Sequence, residues 1–301
     1  MEGVVRIIEV GPRDGLQNEK TSVPTDVKSA FALSLADAGL REIELTSFVS
    51  PKWVPQLADA AETSAAAMLR QDVAWSALVP NAKGLERAVQ CGYQRIALFT
   101  AASEAFVNKN INMSVEESLD LFAEIVLLFR HQVPNGFVRG YVSTAFECPY
   151  AGRVDPTEVV RVCSRLLEAG VDEVSLGDTI GVASPREVRA LAQELRETVP
   201  DDKVAWHFHD TRGTAVANAL CALDLGYTSF DASAAGLGGC PFAPGAGGNL
   251  ATDDLVYALE REGVATGVDP VKLAQASLPV LQILGRAPTA KAQLAVLSAC
   301  S

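Results

Sequence analysis

Apolar residues along this chain fall in short β-branched runs that alternate with stretches of helical spacing, and the alternation recurs along nearly the whole length. The run over 4–10, with Val4, Val5, Ile7, Ile8 and Val10, predicts a strand that stops at Gly11 and Pro12. Val27, Phe31, Leu35 and Ala38 then share one helical face, and Gly39 stands where a left-handed cap ends a helix. The same reading predicts further strands over 42–45, 73–79, 95–100, 138–144, 173–178, 204–209 and 229–234. Helices are predicted over 57–70, 82–91, 115–131, 156–169, 185–198, 214–225 and 252–262, and 101–112 reads as a longer polar loop.

Eight strand-then-helix units of roughly thirty residues with short connections are what a closed parallel α/β barrel requires, so the predicted fold is a TIM (β/α)8 barrel. An open doubly wound sheet is the alternative. No G-x-G-x-x-G opens a helix after the first strand, which weakens its nucleotide-binding form. From Asp269 onward, Leu273, Leu278, Leu281 and Leu284 fall at helical spacing. The expectation is one domain over 1–301, with the barrel over about 1–265 and a C-terminal helical appendage over 266–301.

Polar residues collect where the strands are predicted to end. Arg13 and Asp14 follow the first strand, Glu44 ends the second, Asp178 ends the sixth, His207 and His209 end the seventh, and Cys240 and Asn249 follow the eighth. In such a barrel these positions gather at one rim, where sites are built. Residues two apart in a strand share a face, so His207 and His209 point the same way and are close enough to hold one ion. Two buried histidines bonded to backbone carbonyls are the plainer alternative for that pair taken alone.

One carboxylate (Asp14), two imidazoles (His207, His209) and one amide oxygen (Asn249) make a mostly hard ligand set without thiolate. It favours six-coordinate Mg²⁺ or Mn²⁺ with positions left for substrate oxygens; zinc accepts the same ligand types. Such a site lowers the pKa of a substrate hydroxyl, and Arg13 beside it can stabilise an enolate or carbonyl oxygen. Carbon–carbon cleavage or formation next to a carbonyl is the reaction class this suggests. Cys240 sits in a Gly- and Pro-rich loop able to move over a site, with a thiol able to carry a proton; an inert buried cysteine is the alternative. Glu44 and Asp178 could hold Arg13 or orient a ligand.

Composition narrows the partners. The 301 residues are 49% apolar and 21% charged, and the net charge of −12 comes without any Lys/Arg block, which argues against nucleic acid. An anionic substrate must then meet a local basic patch. The first ten residues lack a signal-peptide pattern and no apolar run reaches the length of a membrane span, so a cytoplasmic location is expected. Six cysteines without pair spacing suggest reduced thiols.

The segments 9–20 (EVGPRDGLQNEK), 46–55 (TSFVSPKWVP), 175–181 (SLGDTIG) and 235–241 (AGLGGCP) closely resemble the 3-hydroxy-3-methylglutaryl-CoA lyase family, and the likeness spans nearly the whole chain. The resemblance implies an acyl-CoA substrate, cleavage of 3-hydroxy-3-methylglutaryl-CoA to acetyl-CoA and acetoacetate, and a divalent cofactor, Mg²⁺ or Mn²⁺. It makes Asp14, His207, His209 and Asn249 the metal ligands and Arg13 the group that steadies the thioester enolate. Cys240, with Glu44 and Asp178 nearby, is implied in proton handling, and His207 or Asp14 could take the hydroxyl proton. Phe242, Gly248 and Arg212 depart from the animal pattern, which leaves longer-chain 3-hydroxyglutaryl thioesters open as substrates. Claisen-type acyltransferases of the isopropylmalate or homocitrate synthase kind share the barrel and the His-x-His, and are the second reading. A homodimer is expected, and Lys20, Lys52 and Lys109 are candidates for the CoA phosphates.

Overall fold

The computed structural model describes residues 5–239 and 248–300. Its barrel strands are β1 (Arg6–Glu9), β2 (Glu42–Ser47), β3 (Ala74–Leu78), β4 (Arg95–Ala101), β5 (Phe137–Ser143), β8 (Glu173–Asp178), β9 (Val204–Phe208) and β10 (Ser229–Ala232). Two short strands, β6 (Glu147–Cys148) and β7 (Gly152–Arg153), form an antiparallel ribbon in the loop after β5. Each barrel strand lies parallel to its sequence neighbours in the barrel, and β10 closes on β1 in a register running from Arg6 opposite Ser229 to Glu9 opposite Ala232. The TIM barrel predicted from the apolar pattern is the observed fold.

Helices α1 (Thr25–Asp37), α2 (Ala60–Ala67), α3 (Ala82–Gln90), α4 (Glu104–Ile111), α5 (Val115–Gln132), α6 (Pro156–Glu168), α7 (Pro185–Leu195), α8 (Ala215–Asp224) and α9 (Thr252–Arg261) return the chain between or after strands. Their apolar faces meet the outer side chains of the strands, among them Ile43, Leu98, Val142, Leu176, Trp206 and Phe230, all buried. Burial of each such side chain contributes about 1.5–3 kcal/mol, so this outer layer supplies the main cohesion of the fold. The C-terminal helices α10 (Pro270–Ala276), α11 (Leu278–Leu284) and α12 (Lys291–Ala299) continue beyond it, with α10 and α11 against α1 and α12 against α9. They cover the seam between the first and last barrel units.

Two local expectations change. The stretch 101–112 holds helix α4, because Ser103 accepts a capping bond from the Phe106 amide and Phe106 and Val107 find buried places. Its polar composition concealed a short amphipathic helix. The helix expected over 57–70 is cut to Ala60–Ala67, preceded by a tight turn over Pro55–Leu57. At Gly39 the left-handed cap is present, with φ at 108°.

The inner face of the barrel is unusually polar for a parallel sheet, whose strands are ordinarily apolar on both faces. Arg6 on β1 reaches Glu173 on β8 at 2.5 Å, and since these strands are not neighbours the contact crosses the interior. Arg6 and Arg95 both bind Glu42, at 2.7 and 2.8 Å, while Arg139 lies 3.1 Å from Glu173 and 2.7 Å from Asp231. Three arginines and three carboxylates thus alternate along the axis and balance in charge. A small cluster of Leu78, Ala97 and Tyr141, with Val49 and Phe99 against it, packs separately from the outer core.

Candidate metal centre at the strand exits

After β1 the backbone winds through one wide turn, Gly11–Gly15, in which the amides of Arg13, Asp14 and Gly15 all point at the Val10 carbonyl, at 3.2, 2.7 and 3.1 Å. The turn sets Arg13 and Asp14 at the barrel mouth. Glu9 fastens it from below: its carboxylate accepts the amides of Gly11 and Ala234 at 2.7 and 3.0 Å and the Thr252 hydroxyl at 2.6 Å. One buried side chain thereby ties the exits of β1 and β10 to the start of α9.

Arg13 is 5% exposed, so its charge needs partners. It donates through Nε to Glu44 and through Nη1 to Asp14 Oδ1 at 2.6 Å, while the Tyr141 hydroxyl donates to the other Glu44 oxygen at 2.7 Å. Burial raises the Asp14 carboxyl, but the Arg13 charge, aided by both histidines, outweighs this and holds it down at about 2. Asp14 is therefore a carboxylate at every working pH. Burial also pushes the Tyr141 hydroxyl well above its ordinary value, so it stays a neutral donor.

His207, on β9, and His209, just past its end, bring their Nε2 atoms within 3.1 Å of each other. Asp231 Oδ2 accepts from His207 Nδ1 at 3.1 Å and from the Ser175 hydroxyl at 2.8 Å. Burial pulls both imidazoles toward neutrality. In His209 it prevails, together with the neighbouring His207, and the pKa falls to about 4. In His207 the bond and charge of Asp231 outweigh it and the pKa rises above the usual value.

Asn249 arrives from the opposite end of the chain. Its backbone bridges His209, the Leu250 amide bonds the Phe208 carbonyl at 2.9 Å, and the Ser233 amide bonds the Leu250 carbonyl at 2.9 Å. Thus held, Asn249 Nδ2 donates to Asp14 Oδ2 at 2.9 Å and to the Leu237 carbonyl at 3.0 Å, and its buried Oδ1 has no hydrogen-bond partner among the described residues.

Asp14, His207 and His209 each offer a ligand atom, all within 4.8 Å of one another. Three features of this cluster fit a divalent cation. Two nitrogens 3.1 Å apart match adjacent ligands of an octahedron with bonds of ~2.1 Å, whose separation is ~3.0 Å. The orphaned Asn249 oxygen supplies a further hard donor. With neutral histidines, one cation (Arg13) against two carboxylates (Asp14, Glu44) leaves the cluster one unit negative.

Of the residues singled out from sequence, Arg13, Asp14, Glu44, His207, His209 and Asn249 come together here. Asp178 is turned elsewhere: its oxygens accept the amides of Val182 and Ala183 at 2.9 and 3.0 Å, and burial raises its pKa to about 6. It fixes the turn after β8, where Arg212 donates to the Ile180 and Gly181 carbonyls at 2.8 and 3.0 Å. Cys240 and Phe242 lie outside the described residues. Sequence reasoning missed Arg139, Tyr141, Ser175 and Asp231. The signal was available: each falls at inward parity within a strand that otherwise reads as apolar, as Glu44 and His207 do.

The HMGL-like family model matches residues 4–280. The mitochondrial hydroxymethylglutaryl-CoA lyase of Bos taurus is 49% identical over 287 residues, spanning 95% of this chain and 88% of its own. The crystal structure of hydroxymethylglutaryl-CoA lyase from Pseudomonas aeruginosa superposes with a TM-score of 0.94 at 46% identity, covering 98% of each chain. An HMG-CoA lyase from Acinetobacter baumannii, in complex with coenzyme A and 3-methylmalate, superposes with a TM-score of 0.90 at 36% identity, over 96% of this chain and 93% of its own.

Proposed function

This chain belongs to the HMGL-like family, and from that premise we propose that it is a divalent-metal-dependent carbon–carbon lyase that cleaves 3-hydroxy-3-methylglutaryl-CoA to acetyl-CoA and acetoacetate. The observation that carries the metal-dependent part is the convergence of Asp14, His207 and His209 within 4.8 Å, beside an Asn249 oxygen that has no hydrogen-bond partner among the described residues.

Asp14, His207, His209 and Asn249 are the residues that would hold the ion, Mg²⁺ or Mn²⁺ by ligand type. Bound there, the ion supplies Lewis acidity to adjacent hydroxyl and carbonyl oxygens of a substrate. The chain's own groups do the rest. Arg13, whose side chain is fixed by Glu44 and Asp14, presents a permanent positive charge to the thioester oxygen. The hydroxyl passes its proton to Asp14 or His207, its oxygen forms the ketone of acetoacetate and the carbon–carbon bond breaks. The electron pair goes into the thioester enolate beside Arg13. Protonation of that enolate carbon gives acetyl-CoA, and Cys240 is the proposed proton donor. Asp178 serves by holding its turn at the rim. Lys20 and Lys52, both exposed, are the proposed partners of the CoA phosphates, and Lys109, set over the Tyr150 ring at 4.5 Å, is a third.

The test is direct. Purified protein with Mn²⁺ and hydroxymethylglutaryl-CoA should release acetoacetate and acetyl-CoA in equal amounts, and excess chelator should stop release. Condensation of acetyl-CoA with a 2-oxo acid, without cleavage, would instead identify a Claisen synthase. A faster turnover of longer 3-hydroxyglutaryl thioesters would move the substrate assignment within the lyases.

A further inference from the structure

Behind His207 the interior charges form a row that leads away from the proposed metal centre. Asp231, fully buried, accepts from His207 Nδ1 with one oxygen and faces Arg139 Nη2 at 2.7 Å with the other. Arg139, 5% exposed, is forked: its Nε lies 3.1 Å from Glu173, which in turn binds Arg6. Arg139 also lies 5.4 Å from the centre of the Tyr141 ring, which has Arg13 at 5.2 Å and the His207 ring at 6.1 Å. Arg139 thus touches none of the candidate ligands yet sits one side chain behind His207.

A histidine ligand can present Nε2 to a cation only when its proton resides on Nδ1. That tautomer persists where Nδ1–H has a fixed acceptor. Asp231 is that acceptor; its Oδ2 also takes the Ser175 hydroxyl, and its Oδ1 is held by the charge of Arg139 in an ion pair at 2.7 Å that lacks hydrogen-bond geometry. We propose that Arg139 is a positioning residue that, through Asp231, locks the His207 ring with its Nε2 lone pair facing Asp14 and His209. The role depends on the fork, since one guanidinium spans Glu173 and Asp231, which a lysine ammonium does at a single point. This inference rests on the proposed metal centre, but its first readout needs no metal.

The sequence has only three histidines, His131, His207 and His209, so the protein labelled with ¹⁵N-histidine gives a simple spectrum. In the metal-free wild type at pH 9.5, where even a His207 of raised pKa is neutral, two-bond ¹H–¹⁵N correlations should show it as a single Nδ1–H tautomer. Arg139→Gln should convert it to a mixture of tautomers and raise the Mn²⁺ Kd, read by calorimetry, by about 10-fold or more. Arg139→Lys should fall between, about 3-fold weaker than wild type, and it carries the test should the glutamine variant not fold. A wild-type His207 protonated on Nε2 overturns the proposal, as does an Arg139→Gln or Arg139→Lys protein with wild-type tautomer and affinity. Failure of the wild type to bind Mn²⁺ at all counts against the metal centre, and is separable because the tautomer is measured without metal.

Discussion

Asn249 Nδ2 donates to Asp14 Oδ2 at 2.9 Å, joining residues 235 positions apart in the chain. The bond aims the Asp14 carboxylate, and Asn249 Oδ1 has no hydrogen-bond partner among the described residues. Asn249→Ala removes both effects, so the Mn²⁺ Kd should rise about 10–100-fold with the fold intact, as loss of a ligand-orienting partner typically does. Calorimetric titration checks this, and an unchanged Kd would take Asn249 out of the site.

Much of this arrangement was legible in the sequence, because the apolar pattern fixes the barrel and the barrel brings strand ends to one rim. Arg13, Asp14 and the histidine pair stood out as charged or imidazole groups at strand exits. Asp231 and Arg139 did not, since a charge in mid-strand reads locally as an exception to an apolar run. Its partner, Glu173 for Arg139, lies on another strand. Only closure of the sheet makes these exceptions meet. Asp178 also stands at a strand exit, and that two nearby backbone amides bond its oxygens is visible only once the turn after β8 has formed. Helix α4 was hidden because its caps and its buried Phe106 are visible only once the neighbouring elements are in place.

Arg13→Lys keeps a charge at the mouth but gives up the planar fork that engages Glu44 and Asp14 together. Turnover should fall about 10²–10³-fold, the range for losing a preorganised donor to a developing oxyanion. Mn²⁺ affinity should change far less. Steady-state kinetics beside metal titration separates the two, and parallel losses in both would make Arg13 a metal-site brace rather than an enolate donor.

Cys240→Ala should lower kcat while leaving Mn²⁺ affinity near that of the wild type, because the thiol is assigned to proton transfer and not to ligation. Solvent exchange gives a second readout. Wild-type enzyme in D₂O should place deuterium in the acetyl-CoA methyl group, and the slowed variant should accumulate less. Unaltered kcat would remove Cys240 from the proton transfer.

A cation that binds the folded chain alone must stabilise it by mass action. At a free concentration of about 100 times Kd the gain is ~2.7 kcal/mol, which for a chain of this size raises Tm by roughly 4–6 °C. Asp14 is ionised down to about pH 2, so weakening of the shift as pH falls should follow protonation of His207, whose pKa, lowered by burial, Asp231 raises above the usual value. Asp14→Asn removes the only carboxylate of the proposed ligand set and should abolish most of the shift. Thermal scans with and without Mn²⁺ test it, and an equal rise in the variant would place the cation elsewhere.

Glu9 gives the fold a pH dependence of its own. Burial raises its carboxyl to about 7 despite the three donors around it, against 4.5 for the free group. Between those values the folded state holds a proton that the unfolded chain has lost, so stability falls as pH rises from about 4.5 to about 7 and then levels. The span corresponds to about 3 kcal/mol. Asp253 and Asp178, each raised to about 6 mainly by burial, act in the same sense at slightly lower pH. Glu9→Gln keeps an acceptor for the Gly11 and Ala234 amides and removes the ionisation. In metal-free protein, urea unfolding at pH 5 and pH 8 should therefore show a clear loss for the wild type and a much smaller one for the variant, with the variant the more stable of the two at pH 8. Parallel pH slopes for the two proteins would mean that Glu9 is ionised in the fold throughout, with its charge carried by the Gly11, Ala234 and Thr252 donors.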